Sequence, residues 1–222
     1  MFKKVIVSED FDSINIAVVQ ALEALYIPQI QYAKYCDDTF LKIKKAQAEN
    51  EPFELLITDL SYKADHRESK LNSGEELIAA VKNTQPNIKI IVYSIEDKSF
   101  RVKSLFETLG IDGYIMKGRN SIPELQKAIQ SIYKSDEKIL SSELSHVMKD
   151  KSLLEIETYD IELLKLLSRG LILDEIANQF KITHISPNGT SSIEKRINKL
   201  KIYFKANNNV HLIAMAKDLG LV

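Results

Sequence analysis

Two alternating patterns of apolar residues constrain the fold of the first 134 residues. Short apolar runs, typical of buried strands, alternate with longer segments whose apolar residues recur at helical spacing. Strands that are apolar on both faces, each followed by a helix, are typical of a parallel sheet covered on both sides. The sequence therefore predicts an α/β fold with a doubly wound, five-stranded parallel sheet. The predicted strands are residues 3–8, 29–35, 53–58, 88–94 and 112–117.

Helix boundary signals lie between these runs. The second helix is expected to begin at Thr39, and Gly110 is expected to end the fourth. Ser121 is placed to cap the fifth helix, with Pro123 in its first turn.

The pattern changes after about residue 134. Residues 135–157 are polar and charged, which predicts a linker that carries a short helix. Residues 158–222 have no strand pattern and contain four helical segments, with Gly170 and Gly220 at positions where helices end. The predicted organisation is an α/β domain at 1–134, a linker at 135–157 and a small all-α domain at 158–222.

Composition narrows the class of protein. The chain has 222 residues, 45% of them hydrophobic and 27% charged, which is typical of a soluble globular protein. Its net charge is −1, so any surface for nucleic acid must be local. The single cysteine, Cys36, excludes an intrachain disulfide and fits a reducing compartment. No run approaches the roughly 18 apolar residues of a membrane helix, and the N-terminus lacks a signal-peptide core. We expect a cytoplasmic protein with no membrane partner.

Polar side chains end four of the predicted strands. The first strand ends on Glu9 and Asp10, the third on Asp59, the fourth on Ser94 and the fifth on Lys117. Ligands of open parallel sheets bind beyond the carboxyl ends of the strands, so these groups should meet at one edge. Three neighbouring carboxylates repel each other unless a cation lies among them, and hard oxygen ligands suit Mg²⁺. A single acid at a strand end is usually only solvated surface; the joint pattern favours a functional site.

The motifs at these strand ends resemble those of response-regulator receiver domains, which have a flavodoxin-like fold. The matching segments are "VIVSEDFDSI", "LLITDLS", "IIVYS" and "GYIMKG". The resemblance implies that Asp59 is a phospho-acceptor that takes a phosphoryl group from a histidine kinase, acting as a covalent nucleophile. It also implies that Asp10, Asp59 and the carbonyl group of Ser61 bind Mg²⁺ directly, with Glu9 acting through water.

The resemblance assigns further roles at the same edge. Lys117 would pair with the phosphoryl group, and Ser94 would donate a hydrogen bond to it. Tyr114 would turn inward as Ser94 moves. The chain departs from the receiver pattern after Asp59, where the glycine expected about eight residues later appears only at Gly74. The intervening charged loop is either a solvated excursion or a segment that shields the acceptor or contacts a partner.

The all-α segment contains a local basic region. Residues 181–205 carry six Lys or Arg and one Glu, a net +5, and include a helical segment whose apolar side is Ile193, Ile197 and Leu200. Such a helix is usually a solvated face, although its charge also suits DNA phosphates. The wider segment, from "YDIELLKLLSRGLILDEIANQF" to "AKDLGLV", resembles the LuxR-type helix-turn-helix domain of NarL/FixJ response regulators.

That second resemblance implies contacts to double-stranded DNA by a recognition helix. The residues concerned are Ser192, Lys195, Arg196 and Lys199, although Arg196 could instead brace the domain. The turn before this helix, "KITHISPNGTSS", is longer than the family's. A homodimer on adjacent half-sites is expected.

Both resemblances together cover nearly the whole chain and predict a phosphorylation-responsive transcriptional regulator of a two-component system, not an enzyme. A phosphatase of the haloacid-dehalogenase type would need a second aspartate two residues after Asp59, where this chain has Ser61. The remaining alternative is an atypical receiver protein that acts without phosphorylation, through dimerisation or protein contacts.

Overall fold

The computed structural model describes residues 1–63, 66, 68–135, 137–145 and 156–222. The chain forms two compact units, one made mainly of residues 1–145 and the other mainly of residues 156–222. Of the predicted linker, residues 136 and 146–155 lie outside the described ones, and the described part includes a short 3-10 helix at Ser142–Leu144. Among the described residues, none of the helices has the length and apolar composition that a bilayer crossing needs.

The first unit is built on a parallel sheet. Its strands run in the order β2-β1-β3-β4-β5-β6, and each neighbouring pair is parallel. This confirms the predicted doubly wound α/β fold, with one additional strand. The strands are β1 (Lys4–Ser8), β2 (Gln29–Ala33), β3 (Leu55–Thr58), β4 (Lys89–Ser94), β5 (Gly113–Met116) and β6 (Ile139–Leu140).

The sheet is buried because successive side chains of the central strands point to opposite faces and both faces are apolar. Val7, Ile57 and Ile91 belong to a core cluster that includes residues of α1 and α5. Ile6 and Leu56 point to the opposite face and are fully buried. The helices of this unit are α1 (Asp12–Ala24), α2 (Cys36–Ala48), α3 (Gly74–Thr84), α4 (Ser99–Thr108) and α5 (Ser121–Lys134).

Two helix starts differ from the sequence prediction. Helix α2 begins at Cys36, because Asp37 and Asp38 occupy its first turn, where carboxylates favour the helix dipole. Thr39, the predicted start, is inside the helix. Ser121 is the first residue of α5 and not its cap; its hydroxyl donates to the Gly118 carbonyl oxygen at 2.8 Å.

The sixth strand was not predicted, because two residues carry no recognisable period. Ile139 and Leu140 pair with Gly113 and Tyr114 of β5, and a 3-10 turn follows at Ser142–Leu144. Side-chain bonds secure this pairing. The Ser141 hydroxyl donates to Glu124 at 2.6 Å and accepts from the Met116 amide at 3.1 Å.

The second unit is all-α. The predicted apolar face formed by Ile193, Ile197 and Leu200 is buried in its core together with Leu163 and Phe180. Gly170 follows its first helix in the left-handed conformation, at φ +86°. The helices are α6 (Thr158–Ser168), α7 (Leu173–Ile182), α8 (Thr190–Tyr203) and α9 (Asn209–Asp218).

Candidate functional site

Adjacent central strands bring the predicted acidic residues together. Ser8 and Thr58 are partners in the β1–β3 register, so the residues that follow them, Glu9 and Asp59, leave the sheet side by side. Both side chains are nearly buried, with 3% and 6% of their surface exposed. The carboxyl edge of the sheet therefore holds two carboxylates out of water.

Lys117 joins these two carboxylates. Its ammonium group donates to Glu9 Oε2 at 2.8 Å and to Asp59 Oδ2 at 2.6 Å. Burial alone would lower the pKa of Lys117, but the hydrogen bonds and charges of Asp59 and Glu9 outweigh it, so the pKa is raised. Burial raises the pKa of Glu9, although Lys117 opposes that shift. The remaining Asp59 oxygen, Oδ1, accepts from the Leu60 amide at 2.6 Å.

The three acids meet the geometric requirement of a cation site. One carboxylate oxygen from each of Glu9, Asp10 and Asp59 lies within 4.8 Å of the others. Asp10 Oδ2 accepts from the Lys63 amide at 2.9 Å, whereas the buried Oδ1 has no hydrogen-bond partner. Because an unsatisfied buried oxygen is unfavourable, Asp10 Oδ1 is suited to a ligand that supplies positive charge.

The predicted switch residues lie on the next two strands. The Ser94 side chain is fully buried at the end of β4, and its hydroxyl oxygen lacks a hydrogen-bond partner. Tyr114 is buried in β5, and its hydroxyl donates to the Glu96 carbonyl oxygen at 2.6 Å. In this structure Tyr114 therefore points inward.

The loop after β3 is closed at its base. Ser61, a predicted metal ligand, is exposed and pairs with Ser73 through an isolated antiparallel bridge. The Gly74 amide then donates to the Leu60 carbonyl oxygen at 2.9 Å. The loop thus leaves and returns at the same place. Two of its charged residues, Asp65 and Arg67, lie outside the described residues.

Sequence reasoning missed three residues that tie this loop to the site. The Tyr62 hydroxyl contacts Ser8 and Thr58, the last residues of β1 and β3. The Lys63 amide donates to Asp10 Oδ2. Asp37, at the start of α2, accepts from the amides of Lys70 and Leu71 at 2.9 and 3.1 Å. In the sequence, the available signal was an aromatic residue in a loop that is mostly polar and charged.

The predicted DNA-contacting residues of the second unit share one face. Lys195 and Lys199 are exposed on α8, and Ser192 is partly exposed one turn earlier. With Arg196 and Tyr159 these residues line a groove of about 360 Å³. A row of ammonium groups on one helix face is suited to bind phosphates.

Arg196 differs from its neighbours. Its guanidinium donates through two nitrogens to the carboxylate of Asp160, which is fully buried in α6. Hydrogen bonding to Asp160 raises the pKa of Arg196. The Arg196 side chain is only 20% exposed. Its hydrogen bonds to Asp160 join α8 to α6 and are its main structural contact.

Solved structures of other proteins are similar to this two-domain architecture. The chain shares the fold of response regulators over nearly its whole length. The solved structures concerned are of RcsB, which is 18–21% identical. RcsB of Salmonella typhimurium, described for its dynamism in DNA interaction, aligns over 96% of this chain and 98% of its own, with 20% identity and a TM-score of 0.67.

Two further RcsB structures, from Salmonella enterica serovar Typhimurium, are similar. One is bound to promoter P1flhDC with the phosphomimetic BeF3⁻; it is 18% identical over 99% of this chain and 100% of its own, with a TM-score of 0.63. The isolated REC domain with BeF3⁻ is 21% identical and covers 66% of this chain and 99% of its own, with a TM-score of 0.52. The sequence matches no protein-family model and no curated protein.

Proposed function

We propose that this protein is a phosphorylation-responsive, DNA-binding transcriptional regulator of a two-component system. Its receiver domain would be residues 1–134, its linker 135–157 and its helix-turn-helix domain 158–222. The observation that carries the proposal is the buried arrangement in which Lys117 bridges Glu9 and Asp59 while Asp10 Oδ1 remains unsatisfied. The likeness to RcsB in both its DNA-bound and BeF3⁻-bound forms supports it.

Asp59 would be the nucleophile. A carboxylate oxygen of Asp59 attacks phosphorus of a phosphohistidine on a histidine kinase, or of another phosphodonor, and the bond from phosphorus to the donor breaks. Asp59 Oδ1 is oriented by the Leu60 amide, which leaves Oδ2 facing Lys117. Lys117 then pairs with the transferred phosphoryl group in place of the carboxylate.

Mg²⁺ fits the acidic cluster. Asp10 and Asp59, with the carbonyl of Ser61, would hold it directly, and Glu9 would hold it through water; the unsatisfied Asp10 Oδ1 supports this assignment. When bound, the ion would offset the negative charge of the entering phosphoryl oxygens.

The phosphoryl group would be read by Ser94 and Tyr114. The unpartnered Ser94 hydroxyl is available to donate to a phosphoryl oxygen, and Tyr114 is buried on the neighbouring strand β5. The resulting change in the receiver surface would promote a homodimer that places two recognition helices on adjacent half-sites of double-stranded DNA. Ser192, Lys195, Arg196 and Lys199 would contact that DNA, with Arg196 also bracing α8. The protein would act in the cytoplasm and would turn over no separate substrate.

Phosphoacceptor chemistry is tested on the full chain with Mg²⁺ and either acetyl phosphate or BeF3⁻. Intact mass should rise by one phosphoryl group with acetyl phosphate, and Asp59→Asn should abolish the gain. BeF3⁻ should increase both the dimer fraction and the affinity for DNA. Modification without any change in assembly or DNA affinity would refute switching. DNA binding that is unaffected by Asp59→Asn and by BeF3⁻ would favour the phosphate-independent alternative.

A further inference from the structure

A buried hydroxyl network lies directly beneath the acidic cluster, and Tyr62 is its centre. The Tyr62 hydroxyl lies 2.8 Å from the Ser8 carbonyl oxygen, 2.7 Å from Ser8 Oγ and 2.8 Å from Thr58 Oγ1. The Thr39 hydroxyl reaches Ser8 Oγ at 2.8 Å. One phenol therefore contacts the last residues of both strands that carry the site.

The Ser8 carbonyl oxygen is the point where these strands meet. It accepts from the Asp59 amide at 3.1 Å, in the last rung of the β1–β3 ladder, and also from the Tyr62 hydroxyl. Glu9 is the next residue after that carbonyl. The Tyr62 hydrogen bond therefore acts on the peptide group that links the position of Glu9 to that of Asp59.

The network also reaches Asp59 from its own strand. The Thr58 hydroxyl lies 2.8 Å from the Asp59 carbonyl oxygen and 2.8 Å from the Tyr62 hydroxyl. Gly74 packs against the same carbonyl, since a Cβ there would lie 2.0 Å from the oxygen. The backbone of Asp59 is thus held on two sides.

The residue after Tyr62 completes the arrangement. The Lys63 amide donates to Asp10 Oδ2 at 2.9 Å, which leaves Oδ1 as the atom without a partner. The position of the Lys63 amide depends on Tyr62, because the two residues are consecutive and the Tyr62 hydroxyl is bound to Ser8 and Thr58. Tyr62 thus contacts the residues that precede Glu9 and Asp59, and the Lys63 amide contacts the Asp10 side chain.

We propose that Tyr62 is a positioning residue for the phosphoryl-acceptor site: through its hydroxyl it fixes the spacing of Glu9, Asp10 and Asp59 that a divalent cation requires. This inference rests on the proposed function and deepens it. Tyr62 touches neither the cation nor the phosphoryl group, so its effect is transmitted through Ser8, Thr58 and the Lys63 amide.

The phenol is suited to this role because one hydroxyl contacts Ser8 and Thr58 at once. Burial raises the pKa of Tyr62 well above its usual value. A neutral phenol both donates one hydrogen bond and accepts others, which the surrounding carbonyl and hydroxyl oxygens require. A phenylalanine keeps the ring but leaves the Ser8 and Thr58 oxygens without their shared partner.

The test uses Tyr62→Phe in the full chain, with Tyr26→Phe as the matched control because Tyr26 is 92% exposed. Mg²⁺ dissociation constants are measured by titration calorimetry well below the unfolding temperature, where every variant is folded. Tyr62→Phe should weaken Mg²⁺ binding about tenfold, as loss of an outer contact to a metal site typically does. Phosphorylation by acetyl phosphate at subsaturating Mg²⁺ should slow by a similar factor, and saturating Mg²⁺ should restore most of the rate.

If the Tyr62 hydroxyl only stabilises the fold, a different result is expected. Tyr62→Phe would then lower the unfolding midpoint without Mg²⁺ and leave the Mg²⁺ dissociation constant of the folded variant at the wild-type value. That result overturns the inference. If wild type itself binds no Mg²⁺ and takes no phosphoryl group, the proposed function fails. Should Tyr62→Phe not fold, Thr58→Val removes one arm of the same network, and unchanged Mg²⁺ affinity in that variant counts equally against the inference.

Discussion

Gly74 lies against the main chain of Asp59, with no room for a side chain. A Cβ at Gly74 would lie 2.0 Å from the Asp59 carbonyl oxygen and 2.8 Å from the Leu60 Cα. Both neighbours are backbone atoms, so neither can move away without shifting the end of β3. The inserted loop therefore returns to the strand that carries the proposed phospho-acceptor.

Gly74→Ala is expected to destabilise the first unit by about 2 kcal/mol, in the range for overpacking a close contact. It should also displace the Asp59 main chain and weaken Mg²⁺ binding. Urea unfolding and Mg²⁺ titration measure the two effects. Gly118→Ala is the control, because a Cβ there meets nothing within 4 Å. Equal stability of the two variants would show that the contact at Gly74 is not tight in solution.

Lys117 occupies the carboxylate oxygens that a cation would need. Lys117→Ala removes a cation from two nearly buried carboxylates, so the metal-free protein should lose about 3 kcal/mol of stability. Mg²⁺ no longer competes with the ammonium group and should bind the variant about tenfold more tightly, while phosphorylation becomes slower. Thermal unfolding with and without Mg²⁺ measures the difference, with exposed Lys127→Ala as the control. A smaller stabilisation by Mg²⁺ in the variant than in wild type would contradict competition.

Glu124 links β6 to α5 and should make stability depend on pH. Burial alone would raise the pKa of Glu124, but the Ser141 hydroxyl and the Ser142 amide outweigh it and lower the pKa below its ordinary value of 4.5. A carboxyl group with a lowered folded-state pKa stabilises the fold above the unfolded pKa, and this stability is lost as pH falls through the folded value.

The stability difference between wild type and Glu124→Gln should therefore be largest near neutral pH and shrink as the pH falls below 4.5. Urea unfolding at a series of pH values measures it. Glu143→Gln, an exposed position in the following turn, is the control. A difference that stays constant with pH would mean that the Glu124 charge does not contribute.

A contact could be predicted from the sequence where the order of strands in the sheet alone brings its residues together. Glu9, Asp10, Asp59 and Lys117 were placed together correctly, because strand-end positions in a parallel sheet converge wherever the loops run. The Tyr62 network could not be predicted, since its bond to Ser8 depends on the path of the inserted loop, which the strand order does not determine. Strand β6 was missed for a related reason: its pairing relies on Glu124 and Ser141, not on a pattern of its own.

Arg196 is expected to contribute mainly to stability. Arg196→Ala leaves the fully buried carboxylate of Asp160 without its cation, which should cost about 3 kcal/mol. Lys165→Ala is the control, because its pair with Glu162 is exposed and such pairs contribute little. Urea unfolding checks both. A loss no larger than that of the control would indicate that Arg196 is free to contact DNA instead.

Lys195 and Lys199 should contribute to DNA affinity through phosphate contacts alone. Both are exposed on α8, and each phosphate contact releases a condensed counterion, so the logarithm of affinity falls with the logarithm of salt concentration by roughly 0.9 per contact. Lys195→Ala with Lys199→Ala should weaken binding to any duplex and reduce the salt slope by about 2. Lys44→Ala with Lys45→Ala, exposed on α2, changes the net charge equally and is the control. DNA affinity is measured by fluorescence anisotropy at several salt concentrations. An unchanged salt slope in the α8 variant would show that this face of α8 does not contact DNA. An equal fall of the slope in the control variant would show that only net charge matters.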